Sequence, residues 1–162
     1  MLHYHEMTEE EKYLASDWKY TGKYAIYNNI PYEEQKRKGK GFANPQKRIF
    51  AFWDDKFIGF INLLEEENQV FLGIGVNPEI CGKGYGTQML RQIDGVVKEL
   101  FGDKKLYLEV RTWNHRAIAC YQKAGFQIVG DAFRQNVHLG EDEYYRMEKG
   151  NKYTINLIYN KK

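Results

Sequence analysis

The stretch from Gly73 to Leu100 constrains the fold more than any other part of the chain. An apolar run ending at Val76 meets Pro78. A turn carrying Gly82, Gly84 and Gly86 follows, and then a helical repeat in which Gly86, Met89, Leu90, Ile93, Val97 and Leu100 recur at i, i+3, i+4, i+7, i+11 and i+14. The order is strand, glycine-rich turn, helix. The glycines lie just before and within the first helical turn, where backbone N–H groups have no intrahelical partner. Without side chains in the way, an anion can approach those donors closely, and a pyrophosphate suits such a site. Spacing excludes two familiar pyrophosphate loops. No Gly-Lys-Ser or Gly-Lys-Thr occurs, and Gly82-x-Gly84-x-Gly86 is one residue short of the dinucleotide fingerprint.

Val76-x-Pro78 followed by Cys81-Gly82-Lys83-Gly84-Tyr85-Gly86 resembles the acyl-CoA-binding motif of the GNAT superfamily of N-acetyltransferases, Gln/Arg-x-x-Gly-x-Gly/Ala. Cys81 stands where Gln or Arg is usual. Downstream, Asn114-x-x-Ala117-x-x-x-Tyr121-x-x-x-Gly125-Phe126 is similar to the family's second motif, in the right order and about a helix and a strand away. The resemblance runs from about Phe50 to Lys149, is weak before Arg48 and is absent after Gly150. It is nearest to the ribosomal-protein alanine N-acetyltransferases.

This likeness implies an α+β (mixed α/β) fold with a central, mostly antiparallel, splayed sheet flanked by helices. It implies acetyl-CoA as acyl donor and direct transfer to a primary amine, on a small molecule or a protein N-terminus. A transferase using another acyl-CoA, or a non-catalytic acyl-CoA-binding module, is the alternative. Ile74, Gly75 and Val76 would line the slot for the pantetheine arm. Free backbone groups of Ile74 and Val76 would bind that arm, and the Ile74 amide would polarise the thioester carbonyl. Cys81, Gly82, Lys83, Gly84, Tyr85, Gly86 and Thr87 would surround the pyrophosphate. Asn114 would bond the CoA arm, and Lys83, Arg116 and Lys123 would meet CoA phosphates. Tyr121 corresponds to the residue that protonates the departing thiolate. Val70 stands where some members carry a catalytic Glu. Glu109, twelve residues before Tyr121 as in the alanine N-acetyltransferases, is the better candidate base. Each of these has an ordinary structural reading beside it: glycines relieving packing, Asn114 as a helix cap, Tyr121 as core, Glu109 as a strand residue, lysines as solvated surface.

The remaining sequence fits one domain over 1–162, with an extra segment at 150–162. Hydrophobic and charged fractions of 43% and 28% are those of a globular protein. A net charge of +2 gives no bulk attraction to nucleic acid or membrane, and no apolar run is long enough to span a bilayer. A polar N-terminus and two cysteines without a disulfide framework point to the cytoplasm. The four histidines lack metal-ligand spacing, so no metal is expected. A homodimer is among the partners the resemblance allows. Cys81, near a helix N-terminus and Lys83, is expected to favour its thiolate.

Local signals predict the elements. A short strand precedes Thr8. Thr8-x-x-Glu11 is a capping box opening a helix at Glu9, with Tyr13, Leu14 and Trp18 on its buried face. Tyr20 to Phe42 reads as a mobile functional segment with a second helix at Tyr32 after Pro31. The acceptor amine would lie against Trp18, Tyr20, Tyr24 and Tyr27, with Asp17, Glu33 and Glu34 compatible with a cationic substrate. Strands at Arg48–Trp53, Phe57–Leu64 and Gln69–Val76 form hairpins. Gly73 and Gly75 mark a bulge or a close approach. A helix Gly84–Leu100, a strand Lys105–Val110 and a helix Asn114–Ala124 follow, the last capped by Asn114 and stopped by Gly125. Gln127–Val137 pairs with Glu143–Met147, and Tyr153–Tyr159 is read as a last strand.

Overall fold

The computed structural model describes residues 1–137 and 140–150. The strand expected at Tyr153–Tyr159 lies outside the described residues, as do His138 and Leu139. The elements run β1 (His3–Glu6), α1 (Glu9–Ser16), α2 (Tyr32–Lys38), β2 (Lys47–Trp53), β3 (Phe57–Glu65), β4 (Gln69–Val76), α3 (Tyr85–Phe101), β5 (Lys105–Arg111), α4 (His115–Lys123), β6 (Phe126–Val137) and β7 (Gly140–Lys149). Short 3-10 turns over Gly22–Tyr27, Gly41–Ala43 and Pro78–Ile80 join them. The sheet order is β1-β2-β3-β4-β5-β7-β6, antiparallel except between β4 and β5. This is the expected mixed α+β architecture.

The helices start where their caps dictate. Thr8 accepts from the Glu11 amide at 3.2 Å while Glu11 accepts from the Thr8 amide at 2.8 Å, closing the capping box. Asn114 caps α4 by accepting from the Ala117 amide at 3.2 Å, and Gly125, at φ +97°, ends it.

The expected buried face of α1 is corrected. Tyr13 and Leu14 are 38% and 48% exposed, whereas Glu11, Ala15 and Ser16 are buried. The small residues let α2 approach, and Gln35 donates to the Ser16 hydroxyl at 2.9 Å. Glu11 can be buried because it also takes the Trp53 indole N–H at 2.5 Å and meets the His5 ring at 2.8 Å. Trp18, just past the helix, does pack inward, its ring 4.8 Å from Phe57. In α3 the expected core residue Leu100 is exposed. Val96 and Phe101 close that turn against the core instead.

Two apolar layers sandwich the sheet. On one face Ile61, Leu63, Val70 and Leu72 pack against Met89, Leu90 and Ile93 of α3 and Ile118 of α4. On the other, Ile49, Ala51, Phe57 and Phe60 meet Ala15 of α1, Tyr32 of α2 and Phe42. A bulge in the β2–β3 pairing, from Phe52–Gly59 to Trp53–Phe57, puts Ile58 and Gly59 on the same face. A Cβ on Gly59 would overlap the Gly75 carbonyl and lie 2.9 Å from the Met89 methyl.

Of the two readings of the β4 glycines, a bulge or a close approach, the bulge is not there: the register with β3 is unbroken from Gly59–Val76 to Glu65–Val70. The glycines serve close approach. A Cβ on Gly73 would come 2.7 Å from the Asn62 amide, and one on Gly75 would overlap the Phe60 ring. The decisive departure is on the other edge of β4. It pairs with β5 only at Gln69–Lys105, Val70–Leu106 and Phe71–Tyr107, and beyond that the strands part. No helix among the described residues is long and apolar enough to cross a membrane.

Candidate active site

The gap between β4 and β5 exposes backbone. The Asn77 amide donates to the Ile58 carbonyl at 2.8 Å, which fixes the hydrogen-bonding phase of β3 and β4. By alternation Gly73 and Gly75 turn their peptide groups toward β3, while Ile74 and Val76 turn theirs into the gap. Tyr20 donates its hydroxyl to the Val76 carbonyl at 2.7 Å, leaving the Ile74 groups facing the opening.

At the end of the gap lies the glycine turn. Gly82 and Gly84 both sit at φ +82°, and a Cβ on either would meet nothing within 4 Å. Backbone conformation, not crowding, requires glycine there. Gly84 caps α3 with no side-chain hydrogen bond, so the first-turn amides stay open. Gly86 differs: a Cβ there would stand 2.9 Å from the Cys120 sulfur, so it serves α3–α4 packing.

These parts border one cleft of about 620 Å3 that passes through the gap from the helical face of the sheet to the other. Ile74, Gly75, Val76, Cys81, Gly82, Gly84, Tyr85, Gly86 and Thr87 line it, with Asn114, Tyr121 and Lys123 from α4 and its cap, and Glu109 from β5. Of the residues expected to bind the donor or act in catalysis, only Lys83 is outside the lining; it is exposed on the turn.

Tyr121 is partly buried, with its ring 6.4 Å from Phe126. Burial holds its phenol well above the ordinary range, with Cys120 and Tyr27 acting the same way. Glu109, half-buried opposite Arg146, is likewise raised, first by burial; Glu66 adds to the shift, and Arg146 and Gln135 oppose it. Asn114 is 7% exposed and its amide is committed at both ends: the oxygen caps α4 and the nitrogen donates to the Tyr27 hydroxyl at 2.9 Å. It ties the aromatic segment to α4.

Three expectations are corrected. Burial pushes the Cys81 thiol up, with Arg116 only partly opposing, and its sulfur points toward the carbonyls of Asn77 (3.5 Å) and Val76 (3.7 Å). A thiol in that setting is not a favoured thiolate. Trp18 belongs to the second core layer, while Tyr20, Tyr24 and Tyr27 do line the cleft. Asp17, Glu33 and Glu34 do not line it; Glu33 pairs with Lys36 at 3.2 Å and Glu34 with Lys38 at 2.9 Å.

Sequence reasoning missed Lys47, Asn62 and Arg111, which all line the cleft. Strand alternation could have found Lys47: in Lys47-Arg-Ile-Phe-Ala it shares a face with Ile49 and Ala51. Among the described residues no group of three or more His, Cys, Asp or Glu could hold a metal ion.

Comparison with known proteins agrees with this geometry. N-alpha-acetyltransferase RimI of Mycobacterium tuberculosis (strain ATCC 25618 / H37Rv) is 38% identical over 87 residues, 51% of this chain and 44% of that protein. The chain thus spans under half the length of that curated relative. A chimera of spermidine N-acetyltransferase SpeG from Vibrio cholerae and hSSAT superposes with a TM-score of 0.75 at 20% identity, covering 96% of this chain and 98% of the other. The ribosomal-protein-S18-alanine N-acetyltransferase from Escherichia coli gives 0.65 at 22% identity, covering 92% and 93%. At those identities the structures speak for the fold alone. Residues 7–126 match the Acetyltransferase (GNAT) family, and the chain belongs to that family.

Proposed function

We propose that this protein transfers the acetyl group of acetyl-CoA directly to a primary amine, on a small molecule or a protein N-terminus, with 1–162 forming one catalytic domain. The observation that carries the reading is the parted β4–β5 edge with Ile74 backbone groups free, leading directly to the open first turn of α3. A pantetheine arm completes the interrupted ladder there, and the pyrophosphate takes the amides around Gly82, Gly84 and Gly86. Tyr85 and Thr87 flank that site, and Lys83, Arg116 and Lys123 supply cationic charge around it. Cys81 contributes its backbone rather than a thiolate, and Asn114 holds α4 in place.

The amine enters from the opposite face. Glu109 takes its proton, its raised pKa making it a stronger base than an ordinary carboxylate. The nitrogen attacks the thioester carbonyl, whose oxygen is polarised by the Ile74 N–H. The C–N bond forms, the C–S bond breaks, and Tyr121 gives its proton to the leaving sulfur. For groups with ordinary pKa values near 10 and 8.5 that transfer is uphill by about 2 kcal/mol. Burial makes the phenol a still weaker acid, but it raises the basicity of a thiolate formed in the same gap too.

A thiol-release assay with acetyl-CoA and a panel of primary amines tests the reading. Amine-dependent release with acetyl-CoA preferred over propionyl- and succinyl-CoA is expected. Binding of acetyl-CoA without release on any amine would leave an acyl-CoA-binding module.

A further inference from the structure

The acceptor half of the cleft has an unusual charge inventory. Glu109 is the only carboxylate among the described residues that line the cleft, against Lys47, Arg111, Arg116 and Lys123. Three of the four cations have other duties. Arg116 lies over the Tyr24 ring at 4.3 Å, Lys123 is assigned above to the donor's phosphates, and Arg111 is held by Asp142 at 2.7 Å. Lys47 stands apart. It is half-buried at the start of β2, on the face of Ile49, Phe60 and Asn62, and among the described residues no carboxylate pairs with it. The nearby acids Glu6 and Glu9 bond Arg48 and Tyr32 instead. Burial accordingly lowers the Lys47 ammonium with nothing opposing it.

A half-buried cation without a counter-ion is costly unless an anion arrives. Asn62 lies beside Lys47's strand, one row along, with its side-chain amide over Gly73. The sheet registers Lys47–Leu64–Phe71–Tyr107 in one row and Ile49–Asn62–Gly73 in the next, with Glu109 one alternation further along β5. Lys47 and Glu109 thus project from the same face, three strand spacings and one alternation apart, which puts their backbones at least about 16 Å from each other where β4 and β5 part. A lysine and a glutamate reaching inward from those strands leave room for a few carbons.

We propose that the acceptor is a small amino acid whose amine meets Glu109 and whose carboxylate is bound by Lys47 and Asn62. This rests on the acetyl-transfer reading above and narrows it. A polyamine is disfavoured on the same grounds: its second ammonium would meet Lys47, with no further carboxylate lining the cleft.

The test is a thiol-release comparison of ω-amino acids, from glycine to 6-aminohexanoate, each against its own amide, with spermidine added. At least one acid is expected to exceed its amide at least 10-fold in kcat/KM. Lys47→Met is expected to bring that ratio close to one, mainly through KM, while Lys47→Arg keeps a preference for the acid. An acetyl-CoA-induced rise in melting temperature in Lys47→Met confirms that the variant is folded. Amides or spermidine used as well as the acids, or a preference that survives Lys47→Met, overturns the proposal and leaves the acetyltransferase reading intact. Absence of release on every amine overturns both.

Discussion

Burial pushes Tyr121 and Glu109 in the same direction, toward protonation, and the two proposed roles use that shift differently. A phenol held neutral is always ready to donate. Tyr121→Phe is therefore expected to lower kcat by about 100-fold, within the range for general acid–base catalysis, with acetyl-CoA affinity nearly unchanged. Steady-state kinetics and a binding isotherm check both halves. For Glu109 the shift has a stability consequence as well. Its carboxyl binds a proton more tightly when folded than at the usual 4.5, so its favourable contribution is full below that value and is lost as pH rises through the elevated one. At pH 7 the ionised side chain is a net cost. Glu109→Gln is expected to lower kcat, to make the residual rate climb with pH, and to melt higher than the parent at pH 7. That melting advantage should shrink toward pH 4.5. Melting curves for the pair across pH 4.5 to 8 measure it, and an advantage that stays constant would count against a raised carboxyl.

At the scale of elements, what was legible was whatever depends on a few adjacent residues. The Thr8 capping box, the Asn114 cap, the Gly125 stop and the turn at Gly82 to Gly86 each carry their own backbone chemistry. What depends on the partner was not legible. Tyr13 and Leu14 look like the buried face of α1 until the small residues Ala15 and Ser16 are seen to admit α2. Gly73 and Gly75 fit a bulge or a close approach equally well until Asn62 and Phe60 are seen to occupy the space beside them. Cys81 looks like a thiolate until its burial is known. Identical substitutions should therefore have opposite signs at two glycines. Gly59→Ala would drive a methyl into the Gly75 carbonyl and the Met89 methyl, where β3, β4 and α3 meet. A loss of about 3 kcal/mol is expected, at the top of the overpacking range. Gly95→Ala adds a methyl in open space on the exposed side of α3 and should gain about 0.5 to 1 kcal/mol. Urea unfolding of the two variants tests both signs.

For the whole molecule, the consequential fact is that one cleft crosses the sheet. The α3 and α4 layer presents the glycine turn on one side, the α1 and α2 layer faces the other, and the parted β4–β5 edge joins them. A donor seated there bridges elements far apart in sequence and binds only the folded chain. At 100 times its dissociation constant acetyl-CoA should add about 2.7 kcal/mol of stability, or roughly 5 to 10 °C in melting temperature for a domain of this size. The turn offers a clean way to cancel that gain. Gly86 is unsuitable, because any side chain there meets Cys120 and disturbs the α3–α4 contact. Gly84 has open space around it, so substitution strains only its left-handed backbone. Asn tolerates that conformation, and Glu adds bulk and a negative charge where a pyrophosphate would lie. Gly84→Asn is expected to melt slightly lower than the parent yet keep most of the acetyl-CoA shift. Gly84→Glu is expected to fold and lose the shift entirely. Equal shifts in both variants would place the donor's phosphates elsewhere on the protein.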